Sequence, residues 1–397
     1  MIVINKRNNA PLENIVKSQP DNFLSKFGKR RHRHYTGVLT LTLLALLYFG
    51  VNTCAAEAIS QTFLNPKNKE NIEQVTAQTE KEVNLGTWVR KADIPYAEDQ
   101  LHGVVINDKL YSIGHLLPIG IERYDPEIDK WSKVADLPIE EYCRSGFGVG
   151  AIDSKIYFVG GYDTGPAPAL EVYDLNTRKL LKLADMPTPR SHPGVGVIDG
   201  KLYVVGGQNR FLVKNSGDAL PTLEMYDPKT NTWSKLADMP TRRAYMGIGV
   251  IEGKLYVAGG LRCDLIFRDL AEFAEHNFLS ALEVYDPKIN KWSKLSDMPT
   301  KKFSFGTGVI DKKLYFVGGF PDMSALEMYD PKTSKWLKLA DMPTPRADLG
   351  ACAIDNLLYA FGGNSPTPQK KLERSSILEV YDPNLKKNDL QAWRTGI

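Results

Sequence analysis

Six residues of this chain stand at one recurring place: Glu98, Arg144, Arg190, Arg243, Lys302 and Arg346 each precede a tyrosine of an apolar stretch by thirteen positions. Five cations and one acid at a single register would give an anion-attracting rim if the stretches are arranged about an axis. Two residues further on, Gln100, Gly146, His192, Tyr245, Ser304 and Asp348 differ from repeat to repeat. Unequal side chains at an equivalent place are the better candidates for selectivity. Other chemistry is scarce. His102, His115, His192 and His276 lack metal-ligand spacing, and no G-x-S-x-G, Walker or H-E-x-x-H pattern occurs. No cofactor and no metal site are expected.

The elements that must position these residues are copies of one phrase. YDP…W-x-KLADMP recurs at 124–138, 226–240, 285–299 and 329–343, with a diverged copy at 173–187 that has Leu180 in the tryptophan place. A second phrase, G-x-GVI-x-GKLYVVGG, ends in glycine pairs at 160–161, 206–207, 259–260, 318–319 and 362–363. Such periodicity marks a repeat architecture in which no unit buries its own apolar surface.

Within a repeat, Met246–Ile251 and Lys254–Ala258 are β-branched and aromatic runs joined by Glu252-Gly253, a tight hairpin signal; Asp199-Gly200 fills the same place one repeat earlier. Lys201–Val205 is apolar at both parities, so both faces require cover. Each repeat therefore reads as a four-stranded antiparallel meander, strands a to d, and sheets stacked in a closed ring meet the demand while leaving few open edges. Strand a–b units begin near 101, 146, 192, 245, 304 and 348, giving six. Residues 86–95 copy a strand-d phrase with no a–c strands before it, whereas the last repeat supplies only a, b and c. The N-terminal segment is predicted to complete the last blade, with Trp393 a rival for that outer place.

These residues resemble the kelch motif: the glycine pair, the tyrosine about a dozen residues on, and the tryptophan seven beyond. The resemblance covers residues 86–383 and implies an all-β, six-bladed β-propeller. It also implies a competing role for the register arginines, which in kelch repeats commonly tie one blade to the next. The Tyr–Cys copper chemistry of galactose-oxidase relatives has no counterpart here. The exported six-bladed kelch proteins of the N-acetylneuraminate epimerase type imply a second possibility, an acid/base pair at the mouth drawn from Glu98, His192 and Asp348.

Charge divides the chain. Residues 1–58 hold eight Lys/Arg against three Asp/Glu, so the net +3 leaves the remainder near −2. A near-neutral body argues against a nucleic-acid partner. Lys29, Arg30, Arg31 and Arg33 precede the uncharged run 36–56, an order that predicts a cytoplasmic N-terminus and an exported remainder. Ala56-Glu57-Ala58 fits a cleavage site and the run is also long enough to span, so signal peptide and transmembrane anchor stay open. The expected organisation is a basic leader at 1–35, that hydrophobic segment at 36–56, a polar spacer at 57–85 and a propeller at 86–397. Cys54, Cys143, Cys263 and Cys352 suggest no disulfide framework.

Two functional expectations follow. The first is a non-enzymatic, monomeric scaffold that binds a protein, peptide or glycan outside the cytoplasm, on the face carrying the d–a and b–c loops, where insertions concentrate. Arg144, Arg190, Arg243, Lys302, Arg346, Tyr245, Arg262 and Arg268 are its expected contacts. The last two lie beside the apolar residues of a short helix expected after Asp264, which bears Ile266, Leu270, Phe273 and Ala274 at helical spacing. The second is the sugar mutarotase.

Overall fold

The computed structural model describes residues 85–397 apart from 116–117, 138–144, 163–164, 210–218, 263–276, 370 and 387–397. The basic leader, the hydrophobic run, the blade-4 helix and Trp393 all lie outside the described residues. Among the described residues no helix is long and apolar enough to cross a membrane.

Six four-stranded antiparallel sheets make the fold. Blade 3 is representative: Gly194–Ile198, Lys201–Val205, Leu223–Asp227 and Thr232–Lys235 pair in sequence order. Blades 1, 2, 4 and 5 repeat that meander over 102–137, 145–182, 247–294 and 306–338. Blade 6 joins Gly350–Ile354, Leu357–Phe361 and Leu378–Asp382 to Thr87–Arg90, which is the outermost strand, with Trp88 opposite Tyr381. The N-terminal strand thus closes the ring as expected. Strand a of each blade touches strand a of the next, and that of blade 6 touches that of blade 1.

Local chemistry explains each piece. The a–b turns put consecutive residues in left-handed backbone, as at Asp199 (φ 49°) and Gly200 (φ 71°), the geometry whose twist matches paired strands. Strand b alternates no further than its first residue. Leu202, Val204 and Val205 are wholly buried and Tyr203 nearly so, because neighbouring blades cover both faces. At the end of strand b, a Cβ on Gly206 would lie 2.4 Å from the Arg243 carbonyl oxygen, so the chain must be glycine where the next blade's link passes.

The repeated tryptophans stitch blade to blade. Trp131, Trp233 and Trp292 donate their indole N–H to the carbonyls of Ala92, Ala184 and Ala237 of the preceding blade, each at 2.8 Å. Trp336 reaches Ser296 at 3.1 Å and Trp88 reaches Ala340 at 2.8 Å. Beside two of them, Asn231 and Asn290 accept from Tyr226 and Tyr285 of their own blades and from the Ala184 and Ala237 amides of the preceding ones. Leu180 breaks the series, having no indole to donate.

Candidate functional site: the propeller mouth

Four of the register cations point inward. Arg190, Arg243, Lys302 and Arg346 are fully buried. In blade 3, Arg190 pairs with Glu224, sends Nη1 to the carbonyls of Gly206 (3.1 Å) and Thr222 (2.9 Å), and sends Nε to Thr188 (3.1 Å). Arg243 repeats the pattern with Glu283 at 2.5 Å and Arg346 with Glu379 at 2.7 Å. Their own carbonyls accept the amides of Gly207 and Gly319 in the preceding blades, and that of Arg190 accepts Gly161. Each arginine therefore spans a blade junction, anchored by its backbone on one side and its guanidinium on the other. The anion-attracting rim is not what these four residues form. Arg190 and Arg243 each commit four of their five N–H donors to carbonyls and a carboxylate and, being wholly buried, present none to a ligand. Burial holds the Arg346 guanidinium down to about 10 against the raising effect of Glu379, so it stays charged at neutral pH.

The partner acids were not singled out in the sequence, although the signal was present. Glu122, Glu171, Glu224, Glu283, Glu327 and Glu379 recur inside apolar strand c of all six blades. An acid repeated within an apolar strand requires a repeated partner. In blades 3 to 6 a threonine completes the socket: Thr188, Thr241, Thr300 and Thr344 donate to Glu224, Glu283, Glu327 and Glu379 at 2.7–2.9 Å.

Two residues on, the unequal positions do come together. Gln100, Gly146, His192, Tyr245, Ser304 and Asp348 line one cavity of about 250 Å³ at the ring centre. All six occupy left-handed backbone, with φ between 50° and 63°. Holding five non-glycine residues there costs conformational energy that the ring must offset. The offset is a belt of backbone hydrogen bonds: His192 N to Gly146 O (2.6 Å), Tyr245 N to His192 O (3.4 Å), Ser304 N to Tyr245 O (3.2 Å) and Asp348 N to Ser304 O (2.9 Å).

The mouth has two unlike sides. Through blades 2 to 5 runs an aromatic arc. Tyr162 lies 5.7 Å from His192, which stacks on Tyr245 at 4.0 Å; Tyr245 meets Phe303 at 6.3 Å and Phe303 stacks on Phe320 at 5.3 Å. At the junction of blades 6 and 1 the side chains are acidic. Asn364 Nδ2 donates to both Asp99 (3.0 Å) and Asp348 (3.3 Å), and Arg374 Nε donates to Asp99 at 2.7 Å. Burial acts to raise the Asp99 carboxyl, but the hydrogen bonds from Asn364 and Arg374 outweigh it and hold it below the usual range. Asp348 is raised by burial, against bonds from Ser304 and Asn364. Glu98 is pushed up to about 7, first by burial, then by Asp99 and Glu122, with Arg374 opposing. Burial and nearby His102 drive His192 down to about 3, so it is a neutral ring at ordinary pH.

Of the other sequence candidates, Arg262 is exposed on the blade-4 link, and its backbone N–H bonds Asn277 at 3.0 Å. Arg144 and Arg268 lie outside the described residues. His192 and Asp348 share the central cavity, whereas Glu98 sits behind it against Gly114. Asp99 and Phe303 stand between register positions and Phe320 and Asn364 follow glycine pairs, so the sequence does not point to them and only the folded ring gathers them. Among the described residues no group of three or more His, Cys, Asp or Glu is placed to hold a metal ion.

A closed ring of meander blades stitched by tryptophan and by buried Arg–Glu pairs defines a repeat propeller. The Kelch-repeats domain model for KLHDC2/KLHL20/DRC7 matches residues 103–319 and the Kelch motif model matches 302–343 and 345–387. The chain belongs to the kelch-repeat family. It is 28% identical over 246 residues to Kelch repeat and BTB domain-containing protein 12 of Homo sapiens, covering 59% of this chain and 31% of that protein. Kelch-like protein 36 of Mus musculus is 30% identical over 220 residues, 53% of this chain and 34% of its own. The chain thus spans about a third of the length of these relatives. The solved structure titled "Structure of YjhT" shares the fold with a TM-score of 0.60 at 19% identity, over 72% of this chain and 95% of that one.

Proposed function

We propose that this kelch propeller is a non-enzymatic recognition scaffold that binds a protein or peptide at its mouth, on the non-cytoplasmic side of a membrane. The observation that carries the reading is the two-sided mouth, an aromatic arc set against Asp99 and Asp348. Aromatic faces and fixed carboxylates on a rigid ring suit a partner that presents apolar and cationic side chains. This reverses the sign expected from the register arginines, whose charge is spent inside the blades. A glycan is the other ligand class such a surface suits. The export component rests on the basic cluster before the uncharged run at 36–56.

The test is capture of labelled peptide and glycan arrays by the full chain and by a Tyr245→Ala/Asp348→Asn variant. Binding lost from the variant, with its melting temperature unchanged, supports the reading. Equal capture by both proteins sinks it.

One observation favours a second reading, the sugar mutarotase. Glu98, with its carboxyl near 7, is poised to give and take a proton at neutral pH. His192 does not strengthen it, being too weak a base to share that work. Acceleration of N-acetylneuraminate anomer exchange, followed by NMR and lost in Glu98→Gln, would support it; the uncatalysed rate would remove it.

A further inference from the structure

Blade 1 keeps the acid of the inter-blade socket and lacks its cation. In blades 3, 4, 5 and 6 the socket is built by Thr-x-Arg or Thr-x-Lys (188–190, 241–243, 300–302 and 344–346) facing the strand-c glutamate. Blade 1 has Tyr96-Ala97-Glu98 in that place. Glu122 therefore loses both the cation and the threonine hydroxyl that its counterparts receive. It is 5% exposed, and among the described residues neither carboxylate oxygen has a hydrogen-bond partner. A buried acid in that condition is costly unless something outside the chain completes it.

The rest of the socket remains. Gly114 and Gly120 stand where Gly206 and Thr222 offer their carbonyls to Arg190, and Gly114 N bonds Gly120 O at 3.2 Å as Gly206 N bonds Thr222 O at 2.9 Å. Glu98, half-buried, adds a second carboxylate. A Cβ on Gly114 would lie 1.8 Å from its Oε2, so glycine is what leaves room for it. The ladder between strands c and d slips between Ile121 and Glu122, a bulge at the residue in question. Among the described residues the place thus holds acceptors and no donor, where three sibling blades hold a guanidinium.

We propose that the blade-1 socket, walled by Glu98, Glu122 and the carbonyls of Gly114 and Gly120, binds the guanidinium of an arginine side chain carried by the protein or peptide partner. The inference rests on the recognition reading above and names the group that partner inserts. Guanidinium is favoured over ammonium by the chain's own example. Lys302 Nζ lies 3.0 Å from Glu327, yet neither atom is aligned for a hydrogen bond, whereas the arginines make forked bonds to carbonyls and carboxylate. Binding would ionise Glu98. The charged groups around it are Asp99, Arg374 and Glu122, with Lys133 and Asp136 bearing on Glu122 and His115 on Asp99.

The probes are Ac-Gly-Arg-Gly-NH2 and its citrulline analogue, titrated calorimetrically into the full chain at pH 7 in two buffers of different ionisation heat. The arginine peptide is expected to bind at least about tenfold more tightly, the size of one charge-assisted contact, and to release protons as Glu98 ionises. Glu98→Arg, which fills the socket from within, should abolish binding and melt above wild type. Glu122→Gln, near-isosteric, should keep the fold and weaken binding about tenfold. No heat from the arginine peptide, equal affinity for the two peptides, or undiminished binding in Glu122→Gln overturns the proposal. The Tyr245→Ala/Asp348→Asn variant leaves this socket whole, so the mouth and the socket can fail separately.

Discussion

Replacing Lys302 by arginine is expected to stabilise the propeller, and the sibling blades set the size of the gain. Arg243 makes three backbone bonds, from Nε to Thr241 (3.1 Å) and from Nη1 to Gly259 (3.0 Å) and Ala281 (2.7 Å), besides its pair with Glu283. Lys302 has the charge without the fork. The equivalent acceptors, Thr300, Gly318 and Ala325, are in place, and Gly318 N already bonds Ala325 O at 2.9 Å. Arginine at 302 would regain two to three bonds of about 1 kcal/mol net each. Against that stand desolvation of a larger cation and a shift of Phe305, whose ring centre lies 6.0 Å from Nζ. The balance is about 1–2 kcal/mol, which in a ring of this size raises the melting temperature by about 2–4 °C. Arg243→Lys should lose a similar amount. Calorimetry or urea unfolding of both variants reads it. If Lys302→Arg melts at or below wild type while Arg243→Lys is neutral, the fork is not what holds the junctions.

Three further outcomes follow from the same contacts. Deleting 82–96 removes the outer strand of blade 6, with the Trp88 indole bond and its contact with Tyr381 at 5.3 Å, and should lower the melting temperature by more than about 10 °C, whereas deleting 387–397 should leave it unchanged. Glu98→Gln tests the raised carboxyl: the folded state holds that proton more tightly than the unfolded one, so stability from this group is full below the ordinary value of 4.5 and is lost as pH rises through about 7. The glutamine variant should match wild type at pH 4.5 and exceed it at pH 8 by about 1 kcal/mol, a figure discounted for the group's partial exposure. Trp292→Phe should cost about 1 kcal/mol in urea unfolding, because the Ala237 carbonyl loses its indole donor while the ring contact with Tyr285 survives.

The fold was legible because repetition multiplies weak signals. One Gly-Gly means little, but five, each three residues after a tyrosine, with a Tyr-to-Trp spacing of seven repeated four times, determine strands, turns and the closing segment. The site was legible only in part. The positions Gln100 to Asp348 were found as unequal members of an equal series, and the ring does bring them to one cavity. Their neighbours Asp99, Phe303 and Asn364 were not, since adjacency across blades is a property of closure and not of any one repeat. The register arginines show the opposite failure. Side-chain type suggested a charged rim, yet direction was set by a glutamate in strand c, a residue whose meaning appears only when both are placed in one blade.

The one acid of the register series, Glu98, stands at the seam of blades 6 and 1. Four backbone bonds of the central belt link blades 2 to 6 through equivalent residues. At the junction of blades 6 and 1 the glycine-amide bond of the series is kept, Gly363 N to Glu98 O at 2.7 Å, and the chain adds Arg374 to Asp99, Asn364 to Asp99 and Asp348, and a small hairpin of Asn364–Pro366 with Leu372–Arg374. This is also where the two ends of the propeller sequence meet, so blade 6 is already held by its own outer strand from 87–90. A junction secured by that strand can give up the buried cation that its siblings need. The acid left behind in strand c, Glu122, is then a group whose partner can come from outside, and the seam that closes the ring is the part of it free to acquire a ligand.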